Sequence, residues 1–180
     1  MSYSFAIIGC GRIAQKHAAI AAKRGVVRAV CDTDLQKARD LANPYEAAVY
    51  TEAASLFQNE KIDIACICTP NGLHDEHAIL ALRKGAHVLC EKPLTITVER
   101  GQAMIQAARS AGKRLFVVKQ NRFNPPVQLL KKLVQEGKLG KILSFQINGF
   151  WNRPAAYYQD NWRGTMRLDG GTLFTQFSHF

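Results

Sequence analysis

The chain has 180 residues, with 24 Lys or Arg against 14 Asp or Glu and a formal charge of +10. That length holds one full domain and part of another, and no apolar run approaches the roughly 20 residues that cross a bilayer as a helix. The basic residues are scattered, with short clusters only at Lys23-Arg24 and Lys131-Lys132 and no interleaved aromatics. This points away from nucleic acid and toward a cleft for an anionic small molecule.

The first residues, Met1-Ser-Tyr-Ser-Phe, run into a strand with no charged leader or small-residue cleavage site, so a cytoplasmic protein is expected. Phe5 to Gly9 is that strand, Arg12 to Lys23 a helix, Val26 to Cys31 a strand and Leu35 to Leu41 a helix. Ala47 to Tyr50 reads as a strand, Ala53 to Gln58 as a helix, and Ile62 to Cys68 as a strand apolar on both faces. His74 to Lys84 is a helix closed by Gly85, and His87 to Cys90 is the fifth strand. Val98 to Ser110 follows as a helix with Thr97 as N-cap, then Leu115 to Val118 as the sixth strand. Strands alternating with helices predict an α/β fold with a doubly wound parallel sheet, whose strand C-termini form the ligand-binding rim.

The rhythm changes after residue 120, which sets the expected domains at 1–120 and 121–180. Asn124-Pro-Pro opens a helix to about Glu136, and Ile142 to Trp151 reads as a long strand. Gly170-Gly171 opens an apolar helical segment to Phe180. A lone strand needs partners, so the second domain is expected to be incomplete. The five cysteines, Cys10, Cys31, Cys66, Cys68 and Cys90, fall at strand ends. They read as small buried residues rather than disulfides, and no metal site is expected.

Three motifs carry chemistry. Gly9-Cys10-Gly11-Arg12-Ile13-Ala14 joins the first strand to the first helix. Gly9 allows a tight turn, Gly11 lets a pyrophosphate approach backbone N–H groups, and Ala14 lets the helix pack closely. Asp32, at the end of the second strand, is placed to accept from the adenosine ribose hydroxyls and to repel a 2′-phosphate, favouring NAD. Two features complicate this: Asp32 is also a plausible helix N-cap, and Arg28 lies within the same strand. Thr69-Pro70-Asn71-Gly72-Leu73-His74 follows the fourth strand, where cofactor contact and simple turn chemistry compete as explanations. Glu91-Lys92-Pro93 follows the fifth. A desolvated Lys92 on the rim would manage a hydroxyl proton, although surface exposure is the commonest fate of lysine.

These three motifs, in this order, resemble the glucose–fructose oxidoreductase/inositol dehydrogenase (Gfo/Idh/MocA) family. The resemblance implies a Rossmann domain followed by an α/β domain with a mostly antiparallel sheet. It also implies NAD as cofactor, oxidation or reduction of a sugar or inositol ring carbon, and homo-oligomers for the full-length protein. It makes Lys92 the catalytic lysine, on a Lys-Pro peptide that is often cis. His179 falls where the histidine of a His-x-x-x-Asp motif belongs, but the aspartate would lie past Phe180. On the residues alone, a histidine on an apolar helix such as His179 is more often a core residue than a catalyst.

The implied cofactor set is Gly9, Cys10, Gly11, Arg12, Ile13, Asp32, Thr69, Pro70, Asn71, His74, Glu91, Lys92 and Gln120. Asn121-Arg-Phe-Asn-Pro-Pro, Phe150-Trp-Asn-Arg and Trp162-Arg-Gly-Thr are similar to the branch that oxidises the 3-hydroxyl of UDP-N-acetylglucosaminuronic acid for bacterial surface glycans. For that nucleotide sugar the implied substrate set is Lys92, Asn121, Arg122, Arg153, Tyr157, Tyr158, Arg163, Ser178 and His179. Arginines suit a diphosphate and a carboxylate. Tyr157, Tyr158, Trp151 and Trp162 suit a uracil or sugar face, or equally a subunit interface. A free sugar or inositol is the competing substrate, and a non-catalytic NAD-binding regulator the competing class.

Overall fold

A computed structural model describes residues 2–159 and 162–179. Strands β1 (Tyr3–Ile8), β2 (Gly25–Cys31), β3 (Ala48–Tyr50), β4 (Ile64–Ile67), β5 (His87–Cys90) and β6 (Leu115–Val117) form one sheet ordered β3-β2-β1-β4-β5-β6. Every neighbouring pair is parallel. The crossovers are α1 (Arg12–Ala22), α2 (Leu35–Ala42), α3 (Ala53–Asn59), α4 (His74–Arg83) and α5 (Val98–Ser110). Strand order reverses between β1 and β4, and a crevice opens there beyond the strand C-termini.

Alternation along each strand feeds two cores. Ala6, Ile8, Ala65, Ile67, Val88 and Cys90 pack with Leu82 and Met104 on the α4–α5 face. Phe5, Ile7, Val30 and Cys66 pack with Ala14, Ala18 and Leu41 on the α1–α2 face. Both faces are covered, so the strands read as unbroken apolar runs. Between β1 and β2 the register slips, so that Phe5 faces Val27 and Ala6 faces Ala29. Arg28 is the extra residue and its side chain is exposed.

Local signals explain the helix starts. Thr97 caps α5 by accepting from the Arg100 N–H at 3.3 Å. Asp34, not Asp32, caps α2, accepting from the Gln36 and Lys37 N–H groups. After β6 come a 3-10 turn, Gln120–Phe123, and α6 (Pro125–Gln135), whose two prolines occupy its first turn.

Two expectations fail here. Residues 142–151 make no strand, and the described residues hold no second sheet. Leu143 and Phe145 are each 83% exposed, so the alternating pattern finds no partner edge on which to form ladder bonds. The segment from Gly170 is also not one helix. It is a single turn, α7 (Thr172–Thr175), then a 3-10 turn, Phe177–His179; Phe180 lies outside the described residues. The reason is a tertiary contact: the Thr175 carbonyl, which a continuing helix would use, accepts from Lys92 Nζ at 2.6 Å. The His179 N–H turns instead to the Gln176 carbonyl.

Residues 162–179 fold back onto the β4 and β5 ends of the sheet. The Gly72 N–H donates to the Leu168 carbonyl at 2.9 Å. A Cβ on Gly72 would sit 2.2 Å from the Arg167 carbonyl oxygen, so only glycine lets the two backbones approach this closely.

Candidate active site

The first loop is built for a diphosphate. Gly9 has φ +89°, and a Cβ there would lie 2.7 Å from the Cys68 carbonyl and Thr69 nitrogen. β1 and β4 thus abut at the point of reversal. Gly11, which starts α1, has nothing within 4 Å of where its Cβ would be. Its missing side chain leaves open space in front of a helix N-terminus, as an approaching anion requires. Arg12 and Ile13 are exposed at the mouth of this loop, while Ala14 is fully buried. The Cys10 thiol points inward, and its N–H donates to Asp32 Oδ2 at 2.7 Å. Asp32 Oδ1 accepts from the Asp34 N–H at 2.9 Å. The half-buried carboxylate is oriented from both sides with lone pairs to spare for ribose hydroxyls. Open cradle and oriented acid together fit a nicotinamide dinucleotide.

Four of the residues expected at the cofactor are occupied with other protein groups. His74 is fully buried, its Nδ1 2.7 Å from the Pro93 carbonyl and its Nε2 2.9 Å from that of Thr69. The neutral ring donates its one N–H to one of these carbonyls and lies against the other, between the β4 and β5 loops. Burial holds its imidazole below the ordinary range against the pull of the two carbonyls. Asn71 is also buried, and its amide donates to the Asp169 carbonyl (2.8 Å) and Oδ1 (3.3 Å). Gln120 Nε2 lies 3.0 Å from His179 Nδ1. Glu91 Oε1 pairs with His17 Nε2 at 2.8 Å. Pro70 starts the short turn Asn71–Leu73, and Thr69 Oγ1 contacts His77 Nδ1 at 3.4 Å.

Lys92 follows β5 on a cis Lys92–Pro93 peptide, half-buried on the rim. Burial lowers its ammonium below the ordinary lysine range; Lys119 and Arg153 push the same way, against Glu91 and Asp169. Lys119 follows β6 and donates to the Ser178 carbonyl. Burial, then the charges of Lys92 and Lys119, hold the His179 imidazole below its usual value. With the Gln120 amide donating to Nδ1, the neutral His179 ring carries its proton on Nε2. Lys92, Lys119 and Arg153 thus gather positive charge around a neutral His179.

A cleft of about 560 Å³ beside it is lined by Pro93, Lys119, Arg122, Phe123 and Phe174, among others. Asn121 Oδ1 accepts from Asn124 at the cleft edge. The aromatic set is largely self-engaged. The Arg153 and Arg163 guanidinium carbons lie 4.6 and 4.5 Å from the Tyr157 ring centre, and Tyr157 packs edge-on against Tyr158. Arg153 also lies 5.1 Å over Trp151 and Arg163 5.1 Å over Trp162. Tyr158 is the more exposed of the two tyrosines. Among the described residues no group of three His, Cys, Asp or Glu is placed to hold a metal ion, and no helix is long and apolar enough to cross a membrane.

Sequence reasoning missed His17, Lys119 and the part played by Asp169, a buried carboxylate that also accepts from the Gly164 N–H. His17 was detectable, since it shares the buried stripe of Ala14, Ala18 and Ala21 on α1, where a polar side chain requires a partner. Lys119 stands just past a strand end, on the rim.

A doubly wound sheet with an open glycine loop, an oriented acid after β2 and a depressed lysine after β5 defines the class of NAD-binding oxidoreductases. Residues 3–119 match the oxidoreductase family with an NAD-binding Rossmann fold, residues 127–180 match the GFO/IDH/MocA C-terminal domain, and the chain belongs to that family. It is 39% identical over 141 residues to the D-glucoside 3-dehydrogenase of Escherichia coli K12, covering 76% of this chain and 40% of that protein. The WlbA dehydrogenase of Chromobacterium violaceum, solved with NADH and UDP-GlcNAcA, superposes with a TM-score of 0.94 at 39% identity. The WlbA dehydrogenase of Bordetella pertussis, with the same two ligands, gives 0.95 at 36%. Each superposition covers 99% of this chain, and 53% and 56% of the respective partner. The chain therefore spans about half the length of these structures.

Proposed function

We propose that this chain serves an NAD-dependent dehydrogenase that oxidises a ring hydroxyl, at C3, of a UDP-N-acetylated sugar acid, a step toward 3-amino sugars of bacterial surface glycans. The observation that carries the reading is the convergence of Lys92, Lys119, Arg153 and His179 beside the cleft, past the C-terminal ends of β5 and β6. An anionic substrate is drawn to such a cluster, and the similarity to two dehydrogenases solved with NADH and UDP-GlcNAcA supports the same choice.

In this reading Gly9, Cys10 and Gly11 with the start of α1 hold the diphosphate, and Asp32 holds the adenosine ribose. Bound NAD supplies the hydride acceptor. Lys92 takes the hydroxyl proton, because burial and neighbouring cations make its neutral amine accessible. His179 donates from Nε2 to the same oxygen and steadies its developing charge. Arg122, Arg153 and Arg163 answer the diphosphate and carboxylate. Full-length protein is expected to reduce NAD with UDP-N-acetylglucosaminuronic acid and far more slowly with glucose or inositol. Lys92→Met should lower turnover by roughly 10²–10⁴-fold while NADH still binds. Turnover of glucosides or inositol with none of the UDP-sugar acid would overturn the substrate assignment. It would favour the second reading, a free-sugar dehydrogenase, which the similarity to the D-glucoside enzyme supports.

A further inference from the structure

The pair His17–Glu91 is not used by the chemistry above, yet it joins the cofactor helix to the lysine loop. His17 is on the second turn of α1, and its Nε2 lies 2.8 Å from Glu91 Oε1 with the two side chains only 11% and 12% exposed. The other carboxylate oxygen accepts from the Lys92 N–H at 3.2 Å. The Glu91 N–H is itself fixed on the Ile67 carbonyl at 3.0 Å, extending the β4–β5 ladder. Glu91 is therefore held at three points, two of them its carboxylate oxygens, and one of its anchors is a side chain of the helix that begins at Gly11.

We propose that His17 is a positioning residue: by turning the Glu91 carboxylate toward α1 it fixes the backbone of Lys92, so that the helix seating the diphosphate also aims the rim lysine. This rests on the reading of Lys92 as the proton-transfer group. The groups whose charge is felt with that of Glu91 are Lys92 beside it, the Cys66, Cys68 and Cys90 thiols of β4 and β5 and their ends, His74 of α4, and His179. Burial keeps the thiols neutral and works against charge on His74. Lys92 is then the cation toward which a released Glu91 carboxylate turns. Burial alone raises the Glu91 carboxyl, but His17 and the Lys92 N–H outweigh it and hold it below the ordinary range. Freed from His17, Glu91 stabilises the Lys92 ammonium, and the lysine loses its proton at higher pH.

The test uses full-length protein with four variants, His17→Ala, His17→Gln, Glu91→Gln and the His17→Ala/Glu91→Gln double. Three quantities are read: NADH affinity by fluorescence, kcat with KM against pH, and the pH dependence of Lys92 acylation mapped by mass spectrometry. His17→Ala is expected to lower kcat roughly 10- to 100-fold with NADH affinity within about threefold. Both the acid limb of the rate profile and the acylation midpoint should move up by on the order of one pH unit. His17→Gln, which restores an N–H donor, should recover most of both effects. In the Glu91→Gln background, His17→Ala should shift neither. An unchanged acylation midpoint in folded His17→Ala, or an equal shift in the Glu91→Gln background, overturns the proposal. If His17→Ala fails to fold, Glu91→Gln decides alone: a lower acylation midpoint supports the link and an unmoved one refutes it. Acylation needs no substrate, so this result stands even if no sugar is turned over.

Discussion

Gly9 and Gly11 are two residues apart in the same loop, and the structure assigns them opposite reasons for being glycine. Alanine at 9 would have to hold φ near +89° with its methyl 2.7 Å from backbone atoms of Cys68 and Thr69. A disfavoured φ costs about 1–3 kcal/mol, and a clash with rigid backbone adds about 1–3. Gly9→Ala should therefore lose roughly 2–6 kcal/mol. At about 2–4 °C per kcal/mol for a chain of this size, the melting temperature falls by roughly 4–24 °C.

Gly11 has φ −73° and ψ −172°, which alanine adopts freely, and its Cβ meets nothing within 4 Å. There the weaker N-cap preference of alanine and the reduced freedom of the unfolded chain offset each other to within about 1 kcal/mol. The new methyl instead occupies the space left for the diphosphate, so NADH affinity should fall at least about tenfold, or about 1.4 kcal/mol. Differential scanning fluorimetry and an NADH fluorescence titration on both variants separate the two effects. A Gly11→Ala protein that binds NADH like the parent, or a Gly9→Ala protein that melts like it, would refute this division of labour.

Three further outcomes are expected. Lys119→Met removes a neighbouring cation, so the Lys92 and His179 values should rise toward their ordinary ones. The acid limb of the rate profile, and the Lys92 acylation midpoint, should then move to higher pH; a shift to lower pH contradicts the cluster. His74→Phe removes the one N–H that the neutral ring can donate to the Pro93 or the Thr69 carbonyl, and urea denaturation should show a loss of roughly 1–3 kcal/mol. The thiols of Cys10 and Cys66 are pushed up to about 12 and that of Cys31 to about 11, by burial first. Iodoacetamide at neutral pH should therefore leave them unmodified in the folded protein and label them readily in urea, with rapid labelling of native protein counting against their burial.

The sequence by itself determined the Rossmann half. Its strands are short apolar runs closed by glycine, aspartate or Glu-Lys-Pro, and its helices carry local start signals such as Thr97, so Asp32 and Lys92 fall at strand ends by spacing alone. Those are short-range facts: period, capping and turn chemistry act within a few residues. What only the tertiary structure decided acts over long separations. His17 meets Glu91 74 residues away, and Asn71 meets Asp169 98 residues away. Neither pair leaves a local pattern, and both give protein partners to residues, Glu91 and Asn71, that the motifs place at the cofactor. The stretch 142–151 shows the same limit from the other side. Its alternation satisfies the strand pattern, but a strand exists only where a second edge supplies hydrogen bonds. Likewise the last helix gave way because Lys92 claimed a carbonyl that the local sequence had reserved for the helix.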